Sequence, residues 1–181
     1  MQKWKCLKSE MVFDSKYFKL KKDTVEVAKG QQKEWTYWDS LDSVMVLGMT
    51  KDEKLVMIRQ YRYLVDEVVI EFPSGACEEN ETIEESAKRE FEEETGYVAN
   101  FLVALGSFYE TYGQLNRKIH LFFAQNVVLA QKLGNLTDDV PEEIEVTLVD
   151  FEQAVQLALK NEIVATGSAL AILLLKEKLG R

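Results

Sequence analysis

The stretch Gly75–Tyr97, GACEENETIEESAKREFEEETGY, crowds nine glutamates into 23 residues. Winding Thr82–Thr95 as a helix at ~100° per residue places Ile83, Ala87 and Phe91 in one stripe, the face expected to pack on the rest of the protein. Glu90 and Glu94 point along the same stripe and Glu93 lies at its edge, while Glu84, Glu85, Lys88 and Glu92 fan out on the other side, as solvated charges do. Carboxylates on a core-facing stripe need an explanation. Two unit charges about 4 Å apart repel by about 4 kcal/mol at an effective dielectric near 20. Such a cluster is resolved by a shared proton, an arginine or a divalent cation.

The elements around this stretch must hold it against a core. Thr82-x-x-Glu85 is a capping-box signature for the start of the helix, and Gly96 is placed to end it. Before it, Ser43–Met49, Leu55–Tyr61 and Val65–Phe72 read as strands, the last stopped by Pro73-Ser74-Gly75. After it come strand-like runs at Phe101–Tyr109 and Lys118–Gln125 around the loop Glu110–Arg117. A polar loop, Gln131–Pro141, leads to a strand at Glu143–Asp150 and helices at Phe151–Lys160 and Ala165–Leu179. The last helix is apolar on more than one face, which predicts packing on a sheet. Strands and helices without strict alternation make the fold class α+β. Residues 1–40 alternate as three antiparallel strands (Trp4–Val12, Tyr17–Val27, Glu34–Trp38), a sheet too thin to stand alone and expected to find a partner. The expected division is 1–40 for this sheet region and 41–181 for the main domain.

Composition narrows the function. With 22 Lys and Arg against 31 Asp and Glu, the net charge of −9 argues against nucleic acid or an anionic membrane as partner. An anionic substrate would then need a cation between it and the protein. Cys6 and Cys77 are too isolated for a disulfide framework or a zinc site. Met1–Glu10 has no apolar segment of the signal-peptide kind, and Ala169–Leu175 is far too short to span a bilayer. The expectation is a cytoplasmic protein.

The spacing Gly75, five residues, Glu81, seven residues, Arg89-Glu90-Phe91-x-Glu93-Glu94-x-Gly96-Tyr97 matches the Nudix box at every defined position. On these residues the chain resembles the Nudix hydrolases. Gln60-Tyr61-Arg62-Tyr63, Glu71-Phe72-Pro73-Ser74-Gly75, Lys118-Ile119-His120-Leu121-Phe122 and the early Ser15-Lys16-Tyr17-Phe18 look like the ADP-ribose pyrophosphatase and nucleoside-diphosphate-sugar branch. The resemblance implies a Nudix-type α/β/α sandwich with an N-terminal antiparallel sheet that builds an intertwined homodimer. It further implies Mg²⁺-dependent hydrolysis, with Mn²⁺ as a substitute, of a nucleoside-diphosphate sugar to a nucleoside monophosphate and a sugar phosphate. Glu90 and Glu94 would be the principal metal ligands, with Glu93 and the Ser74 backbone carbonyl assisting. Arg89 would orient Glu93 or tie down the loop.

If the helix carboxylates hold metal, the general base must come from elsewhere. In the resembling branch it sits on a loop that matches Pro141-Glu142-Glu143-Ile144. Glu142 is the choice, with Glu143, Asp138 and Asp139 as alternatives. Arg62, and then Arg59, suit a diphosphate through their guanidinium forks. Glu71 is a further candidate substrate contact. Trp35, Tyr37 and Trp38 are candidates to stack a base, against a plain packing role. His120 reads as a sheet histidine rather than a catalytic one. Where that branch usually carries a proline in the loop after the box, this chain has Tyr112, a candidate base or sugar contact. That departure keeps dinucleoside polyphosphate hydrolysis open as an alternative, beside a module that binds nucleotide sugars without turnover.

Overall fold

The computed structural model describes residues 2–15, 18–130 and 143–181. Tyr17, Asp138, Asp139 and Glu142 therefore lie outside the described residues. The chain forms two compact units, residues 1–42 with 109–118, and residues 43–108 with 119–181. Among the described residues no helix is long and apolar enough to cross a membrane.

The first unit is a three-stranded antiparallel sheet of β1 (Lys5–Asp14), β2 (Lys19–Glu26) and β3 (Gln32–Asp39), in the order β1-β2-β3. Alternation in these segments forecasts the strands, each within a few residues of its observed ends. The excursion 109–118 is held onto β3: the Trp38 amide donates to the Gln114 carbonyl at 2.8 Å, and the Asn116 side chain donates to Asp39 at 2.6 Å. Nothing local in the sequence announces that attachment.

The second unit is built on a seven-stranded mixed sheet. Its strands are β4 (Ser43–Met49), β5 (Lys54–Arg62), β6 (Glu67–Glu71), β7 (Ser74–Ala76), β9 (Val103–Tyr109), β10 (Lys118–Gln125) and β12 (Ile144–Asp150). The order is β12-β5-β4-β10-β9, with β6 added to β5 and β7 to β4. β10 runs parallel to β4, Leu121 opposite Met45. β8 (Tyr97–Val98) and β11 (Val128–Leu129) make a small separate pair.

Period-two alternation splits the central strands between two cores. Val44, Val46 and Val56 pack with Ala87 and Phe91 of helix α1 (Ile83–Thr95). Met45, Leu47, Met57 and Leu121 pack on the other face with residues of α2 (Phe151–Leu159) and α3 (Thr166–Leu179), including Ala154, Val155, Ile172 and Leu175. β4 is buried along its whole length because both faces are covered. The arrangement is the α/β/α sandwich expected of the sequence.

Gly48 shows how tightly α1 is seated. A methyl group at this position would run into the Phe91 ring. The ring is fully buried and cannot swing out to make room. Gly48→Ala is therefore expected to cost about 1–3 kcal/mol, read as a lower urea midpoint at unchanged slope.

Candidate active site

Helix α1 carries its own stops. Thr82 caps it with the full box, the Glu85 amide donating to Thr82 Oγ1 at 3.2 Å and the Thr82 amide to Glu85 Oε2 at 2.8 Å. Gly96 ends it in the left-handed conformation at φ 70°, where a side chain would be strained. The inward face is Ala87 and Phe91, joined by Ser86 and Thr95. Ile83, expected in that stripe, is instead 40% exposed in the first turn. Glu84, Glu85 and Glu92 are exposed, as their positions foretold.

Glu90 and Glu94 lie along the inner edge, half-buried, against the loop that follows β6 and the start of β7. The Ser74 amide donates to Glu94 Oε2 at 2.8 Å. The Glu90 carboxylate fills the space where Gly75 would carry a Cβ. The two carboxylates thus meet adjacent residues, Ser74 and Gly75, where the loop passes into β7. The loop is set by β4: Val46 N–H donates to the Pro73 carbonyl at 3.2 Å, and Met45 faces Ser74 in the antiparallel register. Hydrogen-bonded and non-hydrogen-bonded pairs alternate in such a ladder, so the N–H and C=O of Ser74 both point away from β4.

The electrostatics follow from burial. Desolvation pushes the Glu94 carboxyl from 4.5 up to about 8, against the Ser74 amide and the Arg62 charge, which favour the anion, and with Glu90 adding repulsion. Glu90 is also raised, burial outweighing the neighbouring Arg89 guanidinium. Among the described residues no three His, Cys, Asp or Glu side chains converge closely enough to form a metal cage by themselves. The donors present are nonetheless of the right kind for a hard divalent cation. They comprise two carboxylates whose burial outweighs the guanidinium charges near them and a backbone carbonyl turned from its ladder.

Arg89 ties the acidic stretch together. Its Nε donates to Glu81 Oε1 at 2.9 Å, Nη1 to Glu90 at 2.8 Å and to Glu93 at 3.1 Å, and Nη2 to the Ala76 carbonyl at 3.2 Å. The Ser86 hydroxyl adds a bond to Glu81 at 2.8 Å. Arg89 therefore both orients Glu93 and secures the loop, and its hydrogen bonds, with that of Ser86, hold the Glu81 carboxyl below the usual range. Glu93 itself is half-exposed.

On β5, Arg62 shares the α1 side of the sheet with Val56, Ile58 and Gln60. Its Nε and Nη2 donate to Glu71 Oε1 at 2.8 and 2.6 Å. Glu71 is buried, and its carboxylate grips Arg62 rather than standing open to a substrate. Arg59 is one residue out of phase, on the opposite face, in an ion pair with Glu145 at 3.2 Å. Sequence reasoning, which named Arg59 after Arg62 as a diphosphate contact, passed over this alternation. A groove of about 630 Å³ is lined by Gln60, Tyr61, Arg62, Tyr63, Leu64 and Glu143. It brings Glu143 to the same cleft as Arg62.

Trp35, Tyr37, Trp38 and Tyr112 belong to the first unit. The Trp35 indole donates to the Gly113 carbonyl at 3.2 Å and meets Trp4 edge-on at 5.9 Å. Trp38 packs on Phe18 at 5.1 Å, with Arg117 over its ring. Both indoles are thus engaged in packing this unit. Tyr112 is 83% exposed. His120 is bonded through Nδ1 to the Ser107 hydroxyl at 2.7 Å, a sheet histidine.

Comparison with known proteins points to one family. Residues 39–167 match the NUDIX domain, and residues 4–38 match the nucleoside diphosphate sugar hydrolase N-terminal domain. The chain is 32% identical over 177 residues to ADP-ribose pyrophosphatase of Bacillus subtilis (strain 168), covering 97% of this chain and 95% of that protein. It is 29% identical over 168 residues to methanol dehydrogenase activator of Bacillus methanolicus, covering 93% and 90% of the two chains. A crystal structure of an ADP compounds hydrolase superposes with a TM-score of 0.85 at 23% identity, covering 99% of this chain and 96% of that one, a likeness of fold. The acidic helix, the loop it faces and the sheet beneath both are those of a Nudix hydrolase, the family to which this chain belongs.

Proposed function

We propose that the protein hydrolyses the diphosphate of a nucleoside-diphosphate sugar of the ADP-ribose kind, with Mg²⁺, to a nucleoside monophosphate and a sugar phosphate. The observation that carries this reading is the pair Glu90 and Glu94, half-buried against Ser74 and Gly75. The ADP-ribose pyrophosphatase relative supports the substrate class. When bound, a divalent cation offsets the charge of the diphosphate and lowers the pKa of a water molecule.

Glu90, Glu94 and the Ser74 carbonyl would hold the cation, with Glu93 assisting from the helix edge. Arg89 keeps Glu90 and Glu93 in place. Arg62, gripped by buried Glu71, presents its guanidinium to a phosphate without having to be ordered on binding. The proton of the attacking water goes to the Glu142-Glu143 pair. Glu143 lines the groove with Arg62, while Glu142 lies outside the described residues. The same reading makes the protein a cytoplasmic homodimer joined through the N-terminal sheet. The apolar side chains that β1 and its approach leave exposed (Trp4, Leu7, Met11, Val12 and Phe13) support the dimer.

The test is a panel of ADP-ribose, GDP-mannose and other nucleotide sugars, with diadenosine polyphosphates in competition, each with Mg²⁺ and Mn²⁺. Release of a nucleoside monophosphate from a nucleotide sugar is the expected result. The reading fails if none is cleaved or if the dinucleoside polyphosphates are preferred.

A further inference from the structure

We propose that Ser168, on α3, is a positioning residue for the cation-binding loop, acting from the opposite face of the sheet by fixing the backbone that carries the Ser74 carbonyl. This rests on the assignment of Ser74, Glu90 and Glu94 to the cation. Ser168 lies one residue beyond the part of the chain matched by the family's domain.

A serine at this place is anomalous unless it is bonded. The buried row of α3 is Ser168, Ala171, Ile172 and Leu175, spaced to face the sheet, and Ser168 is completely enclosed. Burying an unpaired hydroxyl is unfavourable, and an apolar residue would fill the space without that cost. Here the hydroxyl has a task. The Phe72 amide donates to Ser168 Oγ at 2.9 Å, and the hydroxyl stands 3.8 Å from Met45 Sδ.

Phe72 is the first residue past the end of β6, and Pro73, which follows, has no N–H to offer. The three residues from Phe72 to Ser74 are each tied to a different element. Phe72 N–H goes to α3, the Pro73 carbonyl to Val46 of β4 at 3.2 Å, and Ser74 N–H to Glu94 of α1 at 2.8 Å. Met45, the other group that Ser168 touches, is the strand partner of Ser74. One hydroxyl therefore meets both the residue that enters the loop and the side chain of the residue paired with Ser74. Removing it orphans the Phe72 amide, and a buried amide seeks a new acceptor by shifting its backbone. The loop that shifts is the one holding Glu94 by its amide and presenting the Ser74 carbonyl.

The experiment compares Ser168→Ala and Ser168→Thr with the wild type for Mn²⁺ binding, by counting free Mn²⁺ with electron paramagnetic resonance. It is run below the melting temperature of all three proteins. The alanine variant is expected to bind Mn²⁺ about tenfold more weakly, the scale on which loss of an outer partner weakens a metal site. The threonine variant keeps the acceptor and is expected to bind as the wild type does, although its added methyl group lowers the melting temperature. Affinity then parts company with stability. Equal Mn²⁺ affinity in the alanine variant and the wild type would overturn the proposal. So would weakening in both variants in step with their melting temperatures. Because the readout is binding, failure of the wild type to cleave any nucleotide sugar counts against the function assigned above, and only the binding comparison counts against Ser168.

Discussion

Glu94→Gln is expected to lower hydrolysis by about 10²- to 10⁴-fold, the range lost when a group acting directly on a reaction is removed, while raising the stability of the metal-free protein at pH 8. The stability effect follows from burial of the carboxyl. The Glu94 carboxyl titrates at about 8 in the folded chain and at 4.5 as an ordinary glutamate. Between those values the folded state binds more protons than the unfolded state, so stability falls as pH rises through this window. Above the upper value the carboxylate is charged in both states, and the native form bears a penalty on the order of 5 kcal/mol. Glutamine never acquires that charge, and its carbonyl can still accept the Ser74 amide.

The measurement is a set of urea unfolding curves with chelator at pH 5, 6.5 and 8. Wild type should lose stability across the series and the variant should lose less, the remaining slope belonging to Glu90, whose carboxyl is also raised. Adding Mg²⁺ at pH 8 should stabilise wild type and leave the variant nearly unmoved. Parallel pH profiles for the two proteins, or wild-type activity in the variant, would refute the account.

Gly75→Ala is expected to give a folded protein at least about 10²-fold less active, since a misplacement of about 1 Å at a reacting group has that effect. The new methyl group overlaps the Glu90 carboxylate. Unlike the Phe91 ring facing Gly48, this obstacle is the end of a flexible side chain. It swings aside with little loss of stability, but it leaves the place the proposed function gives to the cation. A double-mutant cycle isolates the effect. In a Glu90→Ala background the alanine at 75 should change activity no further. Additive losses would mean that Gly75 acts on the loop itself rather than through Glu90.

The local devices of this fold were readable in the residues. Thr82, Glu85 and Gly96 announce the ends of α1, and the period of Glu90 and Glu94 places them inward, because capping and amphipathicity act within one or two turns of chain. What escaped depends on distant partners or very short elements. β7, β8 and β11 have two or three residues, too few to show a period. The attachment of 109–118 to β3 is made by chain far from it in sequence. Arg59 was readable in principle, since period-two alternation alone separates it from Arg62. Glu71 looked like a substrate contact because its burial and its hold on Arg62 appear only once β5 and β6 are paired. Ser168 left one trace, a lone polar residue in the inward row of an otherwise apolar helix face.

The bond from Phe72 to Ser168 spans 96 positions of chain, and the parallel pairing of β4 waits for β10. During synthesis the acidic helix emerges early, yet its facing loop lacks the last brace until α3 has left the ribosome. If Ser168 acts as proposed, chains halted before that point should hold ions poorly even with every proposed ligand translated, and catalytic competence would come late in the life of the nascent polypeptide.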